Sequence, residues 1–231
     1  EKNIGRVSSL NNALSISKGK YIAIQDADDV SLPDRLFVQH DFLEKNPEYL
    51  LTGSNIHIIN ETGEIISTPV RPENDNELKF SLLFKCTFAN PSLMYRSSVI
   101  TDHKLRYEEE FNHAEDFRLI TIINSLGKVH NLKETLILHR RHGDNNSIVN
   151  FDKLNTGSTV IVKENFLQLG IEISEERALR IRKLFSSKGI DKEHVFEDIR
   201  FLFLAVKEFQ TRYRTVKNRE VIRTLKRMLK W

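Results

Sequence analysis

Three carboxylates stand together at the end of a short apolar run. Tyr21–Ile24 is followed at once by Asp26, Asp28 and Asp29. A run of this length predicts a buried parallel strand, and ligands of open α/β sheets bind beyond the carboxyl ends of strands. Two carboxylates separated by one residue can turn toward one point and hold a divalent cation such as Mg²⁺ or Mn²⁺. This DxD pattern therefore predicts a metal site, although a turn that caps the next helix explains the same residues.

A second acidic pair, Glu115-Asp116, opens a predicted helix over His113–Gly127. A carboxylate at this position could act as a general base that removes a proton from an attacking hydroxyl group. The structural alternative is that acidic residues stabilise the first turn of any helix through its dipole. The pair alone favours that structural alternative.

The pattern of apolar residues predicts the elements that position these carboxylates. A helix over 6–18 leads into the strand at 21–24, and a second helix is capped by Ser31, continues through Leu36, Phe37 and Leu43, and stops before Pro47. Further along we predict a β-hairpin with a turn at Asn60–Gly63, a helix over 77–85, a strand over 92–96 and two strands within 128–140. Alternating strands and helices indicate an α/β fold for residues 1–150.

After Asn150 the spacing of apolar residues is helical throughout, so residues 151–231 are predicted to form an all-α region. Helices are predicted over 152–169, 174–187, 191–210 and 212–230. The buried face of the 191–210 helix is predicted to contain six apolar residues: Val195, Phe196, Ile199, Leu202, Val206 and Phe209.

Composition narrows the class of protein. The single cysteine, Cys86, excludes a disulfide framework and a CxxC metal site, and it favours a reducing compartment such as the cytosol. No apolar run approaches the roughly 18 residues of a membrane span. Residues 1–150 carry 17 basic and 21 acidic side chains, whereas residues 212–231 carry 8 basic and 1 acidic. The main domain therefore lacks the basic surface of a nucleic-acid-binding protein.

The basic C-terminal segment 212–231 has two interpretations. Its apolar face contains Val221, Ile222, Leu225, Met228 and Leu229, and its other face is rich in lysine and arginine. Such a helix suits the surface of an anionic membrane, but it also suits core packing with a solvated basic face.

Several motifs in a fixed order carry a resemblance to a known family. The series EKNIG, NNAL, SKGKYIAIQDADDVSLPDRL, NPSLMYR, AEDFRL and LHRRH with a trailing NNS resembles the nucleotide-sugar glycosyltransferases of family 2, over about residues 1–147. The resemblance implies a GT-A fold with a mostly parallel, Rossmann-like sheet and flanking helices. It also implies metal-dependent, inverting transfer of a sugar from a nucleotide-sugar donor to a saccharide or lipid-linked acceptor. The setting it implies is bacterial surface polysaccharide or glycan synthesis, in the cytoplasm or on the inner face of the membrane.

The resemblance assigns roles to both acidic groups. Asp28 corresponds to the best metal ligand, and Asp26 to a second one that reaches the metal or the ribose. Asp116 corresponds to the general base that activates the acceptor hydroxyl, with Glu115 as its neighbour.

Three further residues are assigned to the donor side by the same resemblance. His142 in LHRRH would contact the diphosphate or the metal, with Arg140 in support, although a surface role explains His142 equally well. Arg6 by the entry loop would touch the nucleotide. Separately, we expect Arg35 to pair with Asp34 or Asp28 in the helix after the acidic cluster.

The beginning of the chain departs from the family pattern. Family members start with a strand and loop that hold the nucleotide base, whereas this sequence opens at EKNIGRV in a loop before a helix. We therefore expect about two βαβ units to precede Glu1. Two alternatives stay open on the sequence: a non-catalytic binding or assembly module with a remnant GT-A fold, and a GT-A-like nucleotidyltransferase. The latter relies on a glycine-rich, basic N-terminal loop that this sequence does not show.

Overall fold

The computed structural model describes residues 3–143, 145, 149–185 and 193–228. Parts of the segment 142–147 (HGDNNS), which the polar sequence predicts to be a loop, and of three predicted C-terminal helices lie outside these residues. The described strands are β1 (Tyr21–Ala23), β2 (Val30–Ser31), β3 (Tyr49–Ile59), β4 (Ile65–Ser67), β5 (Met94–Arg96) and β6 (Lys128–Arg140). The described α-helices are α1 (Arg6–Ile16), α2 (Arg35–Lys45), α3 (Asp75–Leu82), α4 (Ser97–Asp102), α5 (Glu115–Leu126), α6 (Phe151–Gln168), α7 (Glu175–Leu184), α8 (Val195–Arg212) and α9 (Asn218–Met228).

One mixed sheet forms the centre of the fold. Its strand order is β1-β5-β3-β6-β2, with β4 paired to β3. The long strands β3 and β6 are parallel, and the other pairings among the described strands are antiparallel. The α/β class is confirmed, but the sheet is mixed and not mostly parallel. Hairpin partners such as β3 and β4 must be antiparallel, whereas β3 and β6 are joined by a long crossover that contains helices.

The strand before the acidic cluster was predicted to be parallel and buried, which is wrong in both respects. β1 pairs antiparallel with β5, with Tyr21 opposite Arg96, and Ala23 is exposed. Only Ile24, just after the strand, is buried. An apolar run indicates an extended segment, but it does not reveal the direction of the neighbouring strand.

The helix after the cluster also differs from its prediction. Ser31 lies in β2 and does not cap α2, which begins at Arg35 without a side-chain cap. Leu36 and Phe37 are 57% and 73% exposed, and the buried residues of α2 are Arg35, Gln39 and Leu43. Because two of these three buried side chains are polar, the spacing of apolar residues does not predict which face of α2 is buried.

The β3–β4 hairpin is confirmed, with hydrogen bonds between Asn60 and Glu64 closing its turn. The helix that starts at Glu115-Asp116 is confirmed as well. Residues 128–140 form one strand and not two, because β6 continues through irregular register against β3. These irregularities place the end of β6 beside the acidic loop.

The C-terminal helices pack onto the same hydrophobic core as the α/β part. Phe166 of α6 contacts Phe84 edge to face with ring centroids 5.5 Å apart, and Phe209 of α8 contacts Phe80 at 5.2 Å. Such aromatic pairs add about 0.5–1.5 kcal/mol each to the burial of their surface. The division into residues 1–150 and 151–231 stays a prediction, and the two parts share one core.

The predicted buried face of α8 is correct in part. Phe209 is buried and Leu202 and Val206 pack against the core, whereas Phe196 is 81% exposed and Ile199 is 42% exposed. Phe201, Ala205 and the polar Asp198 are buried as well, and Asp198 accepts hydrogen bonds from Arg180 of α7.

The last helix begins at Asn218, later than predicted. Of its predicted apolar face, Val221 is buried, Leu225 packs against the core and Ile222 is 51% exposed. Arg223 pairs with the buried Glu77 of α3 and thereby fixes the helix to the α/β part. No helix within the described residues combines the length and apolarity that a membrane crossing requires.

Candidate active site

The three carboxylates of the acidic loop have different partners. The Asp29 side chain is fully buried, where it accepts a hydrogen bond from the Arg140 backbone at 2.7 Å and contacts His139 Nδ1 at 2.9 Å. These contacts fix the loop to the end of β6. Asp26 and Asp28 are left to line a cavity of about 460 Å³ on the other side of the loop.

This cavity brings four of the seven predicted site residues together, whereas Glu115, Arg140 and His142 are not among the described residues that line it. Asp26 and Asp28 enter it from the acidic loop, Asp116 from the start of α5 and Arg6 from the start of α1. Its remaining lining includes residues that the sequence did not single out, namely Ile56, Arg71, Phe88, Ala89, Asn90, Pro91, His113, His139 and Leu154. Polar side chains from the acidic loop, α1, α5 and β6 therefore line the same cavity.

Asp28 is exposed to solvent and held by polar side chains. His142 Nε2 lies 3.0 Å from its Oδ2, and Asn145 Nδ2 donates to the same oxygen at 3.4 Å. Partial burial alone would raise the pKa of Asp28, but the hydrogen bond and charge of His142 outweigh it and leave that pKa below its ordinary value. Asp28 is therefore a carboxylate at neutral pH.

Asp26 lies deeper, and Asn90 Nδ2 donates to its two oxygens at 3.2 and 3.4 Å. Burial raises the pKa of Asp26 above its ordinary value, and the Arg6 charge and the Asn90 hydrogen bond oppose that effect. The two carboxylates of the DxD pattern thus share a cavity but differ in environment.

Asp116 sits in the first turn of α5, where it accepts a hydrogen bond from the Phe117 backbone at 2.7 Å. Burial, and then the neighbouring charge of Glu115, raise the pKa of Asp116 to about 6, and Arg6 opposes this rise. A carboxyl group with a pKa near the working pH can accept a proton and release it again, as general-base catalysis requires.

Glu115 and Arg6 form an ion pair, with Arg6 Nη1 3.0 Å from Glu115 Oε1. The Glu115 side chain is 1% exposed, and it is not among the residues that line the cavity. Arg6 also lines the cavity, and its positive charge acts to lower the pKa of both Asp26 and Asp116. The ion pair thus holds Arg6 beside the first turn of α5, which also carries Asp116.

Arg140 binds backbone carbonyls. Its Nε donates to the Asp28 carbonyl at 3.0 Å, and its Nη1 donates to the carbonyls of Asn60 and Glu61 at 3.1 and 2.9 Å. The side chain therefore ties the β3–β4 turn to the acidic loop. It supports the position of Asp28 and of the His142 segment that follows.

Arg35 was predicted to pair with Asp34 or Asp28, and this is wrong. Its guanidinium group is buried and donates to the Ile24 carbonyl at 2.6 Å and to Gln25 Oε1 at 2.8 Å. Gln25 in turn donates to the carbonyls of Asp26 and Asp29 at 2.9 and 3.0 Å. Arg35 and Gln25 thus hold the acidic loop from below.

Sequence reasoning missed Gln25, Asn90 and His113 as site residues. One signal for Arg35 and Gln25 was available, because the first turn of a helix that follows a loop lies next to that loop. His113 precedes α5 with a φ of 78°, an unusual conformation for a residue with a side chain. Nothing in the sequence indicated it.

The residues present fit a divalent cation in part. Within the described ranges, no group of three or more His, Cys, Asp and Glu side chains could hold a metal ion by itself. Mg²⁺ and Mn²⁺ sites often use only one or two protein carboxylates, with phosphate and water oxygens as the other ligands. Asp28, ionised and exposed in the cavity, and Asp26 beside it supply that number of carboxylates.

The fold is that of GT-A glycosyltransferases. The crystal structure of S. aureus TarS, residues 1–349, superposes with a TM-score of 0.51 at 16% identity, over 89% of this chain and 60% of that one. A second TarS structure, in complex with UDP-GlcNAc, has a TM-score of 0.51 at 15% identity, over 86% and 60%.

Sequence comparisons point to the same class of protein. Residues 1–102 match the model of Glycosyl transferase family 2. An uncharacterized glycosyltransferase of Haemophilus influenzae is 29% identical over 198 residues, which are 79% of this chain and 60% of the relative. The O-antigen biosynthesis glycosyltransferase WbnJ of Escherichia coli is 38% identical over 143 residues, which are 60% and 55%. The chain thus spans less than two thirds of the length of either relative.

Proposed function

We propose that this chain carries the reaction centre of a metal-dependent, inverting glycosyltransferase. It would move a sugar from a nucleotide-sugar donor to an acceptor hydroxyl group, in bacterial surface polysaccharide or glycan synthesis. The observation that supports this most directly is one cavity lined by the Asp26 and Asp28 carboxylates and by Asp116, whose pKa is about 6. The match of residues 1–102 to Glycosyl transferase family 2 supports the reaction class and the donor class, and the name of WbnJ supports the polysaccharide setting.

Asp28 and Asp26 form the donor side of this proposal. When bound there, Mn²⁺ or Mg²⁺ would neutralise negative charge on the departing nucleoside diphosphate. His142 and Asn145 orient the Asp28 carboxylate through its Oδ2 atom. Arg140, Arg35 and Gln25 hold the loop backbone, so the carboxylates keep their positions as the donor enters. The contact of His142 with diphosphate or metal, and of Arg6 with the nucleotide, belong to the same proposal.

Asp116 forms the acceptor side. Its free carboxylate oxygen takes the proton of the acceptor hydroxyl as that oxygen attacks the anomeric carbon. The bond from the anomeric carbon to the diphosphate oxygen breaks on the opposite face, so the anomeric configuration inverts. The diphosphate leaves with the bonding electrons, and the proton stays on Asp116 until it is released to solvent.

The test of this function is a panel of nucleotide-sugars assayed with Mn²⁺, with Mg²⁺ and with EDTA. Donor binding and metal-dependent donor hydrolysis are measured for the wild type, Asp28→Ala and Asp116→Ala. We expect Asp28→Ala to lose metal-dependent binding, and Asp116→Ala to keep binding and lose transfer. The assignment is wrong if both variants bind and turn over every donor as the wild type does.

We also propose that the protein works at the inner face of the cytoplasmic membrane, with residues 212–231 in peripheral contact. Phe203 and Ile222 are 73% and 51% exposed on α8 and α9, and both line one apolar groove. Arg219 and Lys226 of α9 are exposed as well. Apolar side chains beside basic ones suit an anionic lipid surface.

Liposome sedimentation tests this contact. Arg219→Glu combined with Lys226→Glu should release the protein from vesicles that contain phosphatidylglycerol, whereas the exposed Lys104→Glu should not. Equal sedimentation of all three proteins would remove the membrane proposal.

A further inference from the structure

A second cavity of about 670 Å³ opens next to the first one. It lies between α6 and α7 and reaches Lys85, which follows α3. Leu154 of α6 lines both cavities. The two cavities are therefore adjacent at this side chain.

Arg182 of α7 is the central cation of the second cavity. Its Nη1 donates to the carbonyl and side-chain oxygens of Asn155 at 2.8 and 3.1 Å, and to the Thr159 hydroxyl at 3.2 Å. All three acceptors are neutral, and within the described part of the chain the buried Nε has no hydrogen-bond partner. Burial lowers the pKa of Arg182 to about 10, which leaves it charged at neutral pH.

Lys85 is a second half-buried cation in this cavity. Its Nζ donates to the Phe185 carbonyl at 2.9 Å. Burial, and then the positive charge of Arg71, lower the pKa of Lys85 to about 8. Since Arg71 lines the first cavity, cationic groups continue from the Asp116 site into the second cavity.

Among the described residues that line the second cavity, the acidic ones lie at its surface. Asp152 and Glu175 belong to the first turns of α6 and α7 and are exposed, as is the third cation, Lys183. Solvent and salt screen exposed charges far more than half-buried ones. Among the described lining residues, the half-buried charges are therefore the positive ones of Arg182 and Lys85.

We propose that the second cavity binds a phosphate group of the acceptor. This inference rests on the proposed function, because it places the acceptor hydroxyl at Asp116 and its phosphate at Arg182 and Lys85. Guanidinium and ammonium groups are the side chains best suited to bind phosphate oxygens. The acceptor is accordingly an anionic saccharide, with its phosphate either in a lipid-linked diphosphate or in a phosphorylated sugar.

Calorimetric titration of inorganic pyrophosphate into the purified protein in EDTA tests the site without turnover. We expect one molecule to bind, and both Arg182→Gln and Lys85→Gln to weaken binding about tenfold, the loss of one charge-assisted hydrogen bond. Two controls should keep the wild-type affinity. Arg177→Gln removes a charge from the same helix, on a side chain that pairs with Glu197, and Asp28→Ala removes the donor-side carboxylate.

The inference is overturned if the wild type does not bind pyrophosphate, or if neither cavity variant weakens binding. It is also overturned if Asp28→Ala removes the binding, because the ligand would then occupy the donor side. Melting curves identify a variant that fails to fold, and Arg182→Lys, which keeps the charge, should retain most of the affinity.

Transfer assays then distinguish the two sources of phosphate. With a donor identified by the panel, acceptors are compared as a neutral saccharide, its phosphate ester and its lipid-linked diphosphate. We expect Arg182→Gln to raise KM about tenfold for the phosphate-bearing acceptor that the enzyme uses, with the donor KM unchanged. An equal KM for that acceptor in both proteins contradicts the inference. Failure of the glycosyltransferase assignment is distinct, because it shows in the donor panel and leaves pyrophosphate binding intact.

Discussion

The first cavity contains aspartates on two sides, and their environments differ in opposite directions. Asp28 is exposed, and His142 lowers its pKa, so it is a permanent anion. Asp116 lies at a helix start, where burial and Glu115 raise its pKa to about 6. Environments that separate the pKa values of two carboxyl groups commonly assign them different roles. A permanent anion suits a metal and its diphosphate, whereas a carboxyl that titrates near neutrality suits proton transfer.

The largest effect is expected from Asp116→Asn. The amide keeps the shape and can still accept the Phe117 hydrogen bond, but it cannot take a proton, so transfer should fall by roughly 10²–10⁴-fold. Donor binding should stay within about twofold. Steady-state transfer and calorimetric donor binding check both expectations, and a parallel loss of donor binding would contradict the separation into two sides.

The same variant should gain stability. When folding raises the pKa of a carboxyl group, the folded protein loses stability as the pH rises. The loss begins near the pKa of the unfolded protein and is complete above the pKa of the folded protein. Between a pKa of 3.8 and one of about 6 this amounts to up to about 3 kcal/mol at pH 7, and it falls to roughly 0.5 kcal/mol at pH 4. The melting temperature of the variant should therefore exceed that of the wild type clearly at pH 7 and only slightly at pH 4.

The loop that carries Asp28 depends on a buried cation, which gives the second prediction. Arg35→Met should lower the free energy of unfolding by about 2–4 kcal/mol, because the Ile24 carbonyl and the Gln25 amide lose buried hydrogen bonds. Urea denaturation measures this change. The exposed Arg106→Met is the matched control and should shift stability by less than about 0.5 kcal/mol. Equal shifts in both variants would mean that Arg35 does not hold the loop.

The sequence revealed the carboxylates but not this support. Asp26, Asp28 and Asp116 were found because charge at the end of an apolar run or the start of a helix is visible in a linear chain. Arg35 was misplaced, because its partners are mostly backbone carbonyls and a glutamine, which carry no charge pattern. Asn90 was missed for the same reason, since one neutral amide in a turn has no distinctive signal.

The fold shows the same division. The β3–β4 hairpin and the start of α5 were predicted because turn and helix-start residues are local signals. The directions of β1 and β5 depend on contacts between segments about 70 residues apart, which periodicity does not encode. The α8 face was predicted only in part, because apolar periodicity does not reveal that Asp198, a polar residue, is buried and accepts hydrogen bonds from Arg180.

The pH dependence of transfer gives the third prediction. At saturating donor and acceptor, log kcat should rise with a slope near one below pH 6 and level off above it, because the unprotonated form of Asp116 is the active one. Rates at pH 5 should be about tenfold below the plateau. Measurements over pH 4.5–8 with one metal concentration check this. A flat profile would show that Asp116 does not transfer the proton in the rate-limiting step.

The smallest effect is expected on the donor side, from His142→Gln. The side chain no longer places a ring nitrogen 3.0 Å from Asp28 Oδ2, but Asn145 still donates to that oxygen, so the carboxylate loses only part of its support. Calorimetric donor binding with Mn²⁺ should weaken by about tenfold, about the loss of one hydrogen bond to a charged group. His103→Gln, an exposed histidine far along the chain from the acidic loop, should leave the Kd unchanged. If His142→Gln instead slows transfer at unchanged donor Kd, His142 acts on the reacting groups, and the donor side is more than a fixed anion.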